Sequence, residues 1–371
     1  MLISVRACVL LLYAVSLAAQ TPDPEKQFQQ ATAAQQSGDN ATAVRIYQEL
    51  LKAHPESVVV RVNLGASLAQ LKRYDDAIEQ YRAVLLTDPL NLPVRLNLAL
   101  AYHEKGDLRH AASELEFVHK SDPSNLQASM LLSECYFRLG RYSETAAILT
   151  PLEPVLPDDL DLAWILGSAM IHSGRAEEGL QRIDKVAEKT KSADAYLLAG
   201  ETRLERDEYD LARRDADAAL RLNPKLPGVQ TLNGMILEHT GDYDAAETAL
   251  QVALAANTED YDARYYLGAI AYFKRDLEAA RAQLECALEL RPTSAEARYE
   301  LALVSRAEGK LAEARQELEM VVREKPKWIQ PHIELSALYY QLKLPEDGAR
   351  ERQVVDRLGT AESAHPAEIT P

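Results

Sequence analysis

The sequence predicts an all-α solenoid of about ten copies of one helix-turn-helix unit, and three observations carry that prediction. Proline returns every 34 residues, at Pro55, Pro89, Pro123 and Pro157 and again at Pro292 and Pro326. A fixed period of that length marks a single supersecondary unit used over and over. With each proline as the thirty-second place, units begin at Pro24, Val58, Leu92, Leu126, Leu160, Ala193, Pro227, Tyr261, Ala295 and Ile329. The unit from Leu160 is one residue short, which accounts for the gap of 67 between Pro157 and Pro224; Lys191 and Thr258 hold the place in the two units without proline. The second observation is the eighth place, small in all ten units: Ala31, Gly65, Ala99, Ser133, Gly167, Gly200, Gly234, Gly268, Ala302, Ser336. The third is the twentieth: Ala43, Ala77, Ala111, Thr145, Gly179, Ala212, Ala246, Ala280, Ala314, Gly348.

Each unit reads in order as helix, turn, helix, stop. The first helix carries its knob at the seventh place, as Leu64, Leu98, Leu132, Leu166, Leu267, Leu301 and Leu335. The turn follows at Gly38-Asp39, Gly106-Asp107, Gly140-Arg141 and Gly241-Asp242, where glycine tolerates the positive φ that ends a helix. The second helix packs through its twenty-fourth place, as Tyr47, Tyr81, Leu115, Leu149, Leu250 and Leu284. Asp88-Pro89, Asp122-Pro123 and Asn223-Pro224 stop it, because proline has no N–H and restricts the residue before it. Small residues at eight and twenty mark where the two helices cross, since interaxial distance is set by the side chains in contact.

This pattern resembles the tetratricopeptide repeat, whose signature has a small residue at eight, alanine at twenty and proline at thirty-two. Unit two fits closely, with Asn63-Leu64-Gly65, Tyr74-Asp75-Asp76-Ala77, Tyr81 and Asp88-Pro89. The family's tryptophan at place four is absent, and Arg61, Arg95, Arg264 and Arg298 stand there. The resemblance covers 24 to about 359 and implies a right-handed solenoid whose first helices line a concave groove for a protein or peptide partner. Places two, five, nine and twelve of the family point into that groove.

Little of the chain's 371 residues lies outside the repeats. A catalytic domain needs on the order of 100 residues and none are spare, so no enzyme is expected. Residues 1–19 read as a cleaved secretory signal: one positive charge before Arg6 ends, an apolar run from Ala7 to Leu17, then Ser16-Leu17-Ala18-Ala19 for the peptidase. The 13 residues from Ala7 to Ala19 would reach roughly 20 Å as a helix, short of a hydrocarbon core of about 30 Å. No transmembrane span is expected after cleavage, and the address is periplasmic or secreted. Residues 360–371, rich in Ala, Pro and Glu, read as a disordered tail. Cys135 and Cys286 lie more than four units apart, too far for a disulfide in a neighbours-only stack. The net charge of −16 disfavours nucleic acid and suits neutral or basic partners.

Place five of the groove reads Phe28, Val62, Leu96, Met130, Trp164, Leu197, Thr231, Tyr265, Tyr299, Ile333. The aliphatic members have the alternative of packing on adjacent helices. Trp164, Tyr265, Tyr272, Tyr299 and Tyr340 join large contact area to a polar tip, as binding hot spots do. Asn63 and Asn97, at place six, can donate to and accept from an extended backbone, although asparagine is also common there in the family. Carboxylates at place two serve the helix dipole as readily as a ligand. Glu134, Glu201 and Glu238 lie deeper along their helices, where a basic contact fits. No metal or cofactor is expected: His103-Glu104 starts an HExxH, but Asp107 stands where the second histidine belongs. The clamp by which some relatives hold a chaperone tail is missing too, since Phe28 and Thr32, or Val62 and Ala66, fill its places.

Three functional readings follow. The first is a non-catalytic scaffold outside the cytoplasm, serving cell-envelope assembly or export. The second is a substrate-presenting subunit of an enzyme complex. The third is a carbohydrate-binding component of polysaccharide export.

Overall fold

The computed structural model describes residues 23–364; the expected signal peptide and the end of the tail lie outside them. Every regular element among the described residues is helical. The chain forms two compact units, divided after Leu152. The first holds α1 (Pro24–Gln36), α2 (Asn40–Ala53), α3 (Val58–Gln70), α4 (Tyr74–Thr87), α5 (Leu92–Lys105), α6 (Leu108–Ser121), α7 (Leu126–Arg138) and α8 (Tyr142–Leu149). The second holds α9 (Leu160–His172), α10 (Ala176–Thr190), α11 (Ala193–Leu204), α12 (Tyr209–Leu222), α13 (Val229–His239), α14 (Tyr243–Ala256), α15 (Tyr261–Phe273), α16 (Leu277–Leu290), α17 (Ala295–Ala307), α18 (Leu311–Glu324), α19 (Ile329–Gln341) and α20 (Pro345–Ala364).

Within each unit, every helix packs on the next, so the whole is an all-α repeat solenoid in two blocks. First helices also touch first helices: α1 meets α3 and α3 meets α5 in one unit, and α9, α11, α13, α15 and α17 form a continuous row in the other. Second helices approach one another less, which puts the first-helix face on the inner side of each stack.

All twenty residues at the eighth and twentieth places are buried. The crossing is tight enough to explain why they are small. A Cβ on Gly234 would lie 2.5 Å from Leu250 and 3.3 Å from the Ala246 carbonyl. Ser336 Oγ and Thr145 Oγ1 donate to the backbone across their crossings, to the Gly348 carbonyl at 2.8 Å and the Ser133 carbonyl at 3.4 Å, whereas Ser133 Oγ donates to the Met130 carbonyl of its own helix at 2.7 Å. All ten turn residues at the fifteenth place have positive φ, and four of them are not glycine: Lys72, Asp207, Arg275 and Lys343, between 59° and 64°.

The arginines that replace tryptophan at place four fasten each hairpin to the preceding turn. Arg298 donates to the Pro292 carbonyl at 2.6 Å and to Glu317 at 3.0 Å. Arg61 does the same with the Pro55 carbonyl and Gln80, at 2.7 and 3.1 Å. In the last repeat, buried His332 takes over, reaching Glu351 at 2.6 Å and the Pro326 carbonyl at 3.2 Å.

Three departures from the sequence reading, and the expected lack of proline in the short fifth repeat, have local causes. Helix α13 starts at Val229, not Pro227, because Pro227-Gly228 forms a turn closed by Val229 N–H on the Leu226 carbonyl at 3.2 Å, with Gly228 at φ +84°. The short fifth repeat ends on Lys191 at φ +54°, a conformation proline cannot adopt. Helix α8 has only 8 residues and passes into a 3-10 turn at Thr150–Leu152, where Pro151 interrupts the α-helical ladder. Helix α20 runs on to Ala364, so residues 360–364 are helical where a disordered tail is expected. Cys135 is buried and Cys286 half-buried, both as free thiols.

Candidate partner-binding groove

The inner face of the second unit concentrates aromatic rings and carboxylates on α13, α15 and α17. An open groove of about 550 Å³ lies there, lined by Met235, Tyr261, Asp262, Tyr265, Tyr266 and Glu296 among others. Helix α15 supplies three of the rings through the run Tyr261-Asp-Ala-Arg-Tyr265-Tyr266, where spacing by four puts Tyr261 and Tyr265 one turn apart on one face. They stack at 6.2 Å with 10° between planes, and Tyr266 meets Tyr265 edge-on at 5.1 Å. Tyr261 is fixed by a 2.6 Å hydrogen bond with Ser294 and by the Arg291 guanidinium 3.9 Å above its ring.

One turn further along α17, Glu300 is half-buried, and burial followed by the charge of Glu238 pushes its carboxyl up to about 7. Burial also pushes Tyr299 and Tyr266 up to about 12 and Tyr265 higher still. Tyr299 packs against Trp328, ring to ring at 4.8 Å. Glu201 on α11 is exposed at its edge, yet burial of its carboxyl, then Glu205 and Asp262, raise its pKa.

Of the residues singled out in sequence, the structure gathers Glu201, Glu238, Tyr265, Tyr272 and Tyr299 onto this face. Tyr272 leans on the cluster of Ala280, Leu284, Leu301 and Val304. Trp164 packs against Ala163, Ile183, Ala195 and neighbouring apolar side chains, so part of its ring serves the core. Tyr340 is 46% exposed and covers Gly348, the crossing residue of its own hairpin.

The other candidates belong to the first unit. Phe28, Val62 and Leu96 pack on its core, Val62 and Leu96 as the aliphatic alternative had it. Asn63, Asn97 and Met130 are half-buried on α3, α5 and α7. Glu134 already meets basic groups within the chain, His103 at 3.1 Å and Arg138 at 3.6 Å.

Tyr261, Tyr266, Glu300 and Trp328 were missed. Place six held the signal for two of them: its asparagine ladder lapses after Asn97 but resumes with polar residues as Tyr266, Glu300 and Glu334. Trp328 precedes α19 as its N-cap, outside the helical places that the pattern watches.

A family model described as the tetratricopeptide repeat matches residues 28–91, 231–284 and 270–327. A second model of the same repeat matches 102–170, and together they cover more than half of the chain. No curated protein matches it in sequence. Among solved structures, a chain of the APC/C hetero-tetramer Cut9-Hcn1 is similar with a TM-score of 0.55 at 15% identity, over 91% of this chain and 88% of that one. That likeness is one of fold. Yeast Tom70 matches over 92% of this chain and 96% of its own at 14% identity and a TM-score of 0.41. MamA from Desulfovibrio magneticus RS-1 matches over 46% of this chain and 96% of its own at 22% identity, also at 0.41. The chain, with its repeating small residues, turns and stops, belongs to the tetratricopeptide repeat family.

Proposed function

We propose that the protein is a non-catalytic scaffold outside the cytoplasm that holds a protein segment against the inner face of its second unit, in cell-envelope assembly or export. The repeat family and the fold support a protein–protein interaction scaffold. The observation that carries the finer reading is the groove on α13, α15 and α17. It combines stacked tyrosines, which bring contact area at low entropic cost, with carboxylates that can orient a bound chain. The leader sequence supports export, and among the described residues no helix is long and apolar enough to cross a membrane.

The test is affinity capture from cell-envelope extract, with the mature protein beside a Tyr265→Ala/Tyr299→Ala double variant of equal helicity. A protein retained by the first and lost by the second supports the groove. Capture of the same proteins by both places the interaction elsewhere. An enzyme that co-purifies in fixed stoichiometry favours the substrate-presenting subunit, and glycan binding by the isolated protein favours the carbohydrate reading. For the address, mass spectrometry of the N-terminus should find a start just after Ala18 or Ala19 in the fraction outside the cytoplasm; an intact Met1 in the cytoplasm removes that part.

A further inference from the structure

The charges on the inner face of the second unit are not all balanced from within. Asp262 has Arg291 at 3.6 Å, Glu296 has Lys325 at 2.9 Å, Glu238 has His239 at 3.1 Å and Glu334 has Arg306. Glu300 and Glu201 have no ion-pair partner among the described residues, and the charges they feel are acidic: Glu238 for the first, Glu205 and Asp262 for the second. Glu300 is half-buried, where an unpaired charge is costly, while Glu201 is exposed on the same face. Glu300 follows Tyr299 on α17, and α15, which carries Tyr265, packs against that helix. The groove at Tyr261 and Tyr265 opens beside it, one helical turn back.

We infer that this face takes a protein segment bearing lysine or arginine, with the cationic head against Glu300 and Glu238 and the aliphatic stem along Tyr265 and Tyr299. Charge complementarity names the cation, and the rings suit it twice over: their faces attract it, and they cover its stem. A plain aliphatic segment would leave half-buried Glu300 without a partner, and an acidic one would be repelled by the unpaired carboxylates of Glu300 and Glu201. The inference rests on the reading that this face holds a protein segment, and deepens it to a class of partner.

The experiment is selection of random nine-residue peptides on the full mature chain, followed by titration of the selected peptides. The variants are Glu201→Gln/Glu300→Gln and, as a control of equal charge on the outer helices, Asp217→Asn/Glu278→Gln. The expected result is Lys or Arg at one fixed position, with binding weakened roughly tenfold or more by the groove pair and within about twofold for the control. Loss of binding equal in both variants would show diffuse attraction to an acidic protein and overturn the inference. Selected peptides with no fixed base, but sensitive to Tyr265→Ala/Tyr299→Ala, would overturn the cation and leave the scaffold reading intact. Failure to enrich any peptide would remove both.

Discussion

Glu300 ties folding to pH in a direction set by its burial. In the unfolded chain its carboxyl loses its proton near 4.5, and in the folded chain near 7. Between those values the unfolded state has fewer protons bound, so stability falls as pH rises through the window and stays reduced above it. Glu300→Gln removes the penalty. The variant should be more stable than the parent by about 1–3 kcal/mol at pH 8 and indistinguishable from it near pH 4, as measured by urea unfolding. An equal gain at both values would mean the benefit is packing rather than charge. Arg298 makes the opposite case: its guanidinium satisfies the Pro292 carbonyl and Glu317 together. Arg298→Met should therefore cost about 1–3 kcal/mol, and the same unfolding measurement reads it.

At the scale of the element, each hairpin depends on a turn residue that the backbone forces to positive φ. Glycine accepts that conformation freely, whereas a side chain costs about 1 kcal/mol there. Lys72 and Lys343 hold φ of 59° and 60°. Replacing either with glycine should raise stability by about 0.5–1 kcal/mol, the gain reduced by the greater freedom of glycine in the unfolded chain. No gain at either site would show that their side chains contribute contacts of their own. The same element explains why the repeat was readable in sequence. Its small residues, its turn and its stop are backbone requirements that recur wherever the hairpin recurs. The sequence did not show that Pro227-Gly228 would close a turn of its own and delay α13, because a proline at a first helical position ordinarily begins a helix.

For the whole molecule, the repeat architecture limits how far damage travels. Ala246 is fully buried at the crossing of α13 and α14, and Ala246→Arg forces a charged chain into it, at a cost of about 3 kcal/mol or more. Because each repeat packs on its neighbours, amide exchange should accelerate around α13–α15 while α1–α6 in the other unit keep their protection. Uniform acceleration in both units would show that the chain unfolds as one block.

What the sequence alone determined is periodic: helix, crossing, turn and stop, each dictated by local backbone geometry and repeated until the pattern was unmistakable. What only the tertiary structure decided is which side chains remain available. Trp164 looked like a hot spot and leans on a core cluster; Glu134 looked like a site for a basic contact and meets His103, 31 residues away; Glu300 drew no notice and, like Glu201, has no ion-pair partner among the described residues. The reason is physical. Helical spacing sets the face on which a residue lies, but its burial and the sign of the charges around it come from helices of neighbouring repeats, and no local pattern records those pairings.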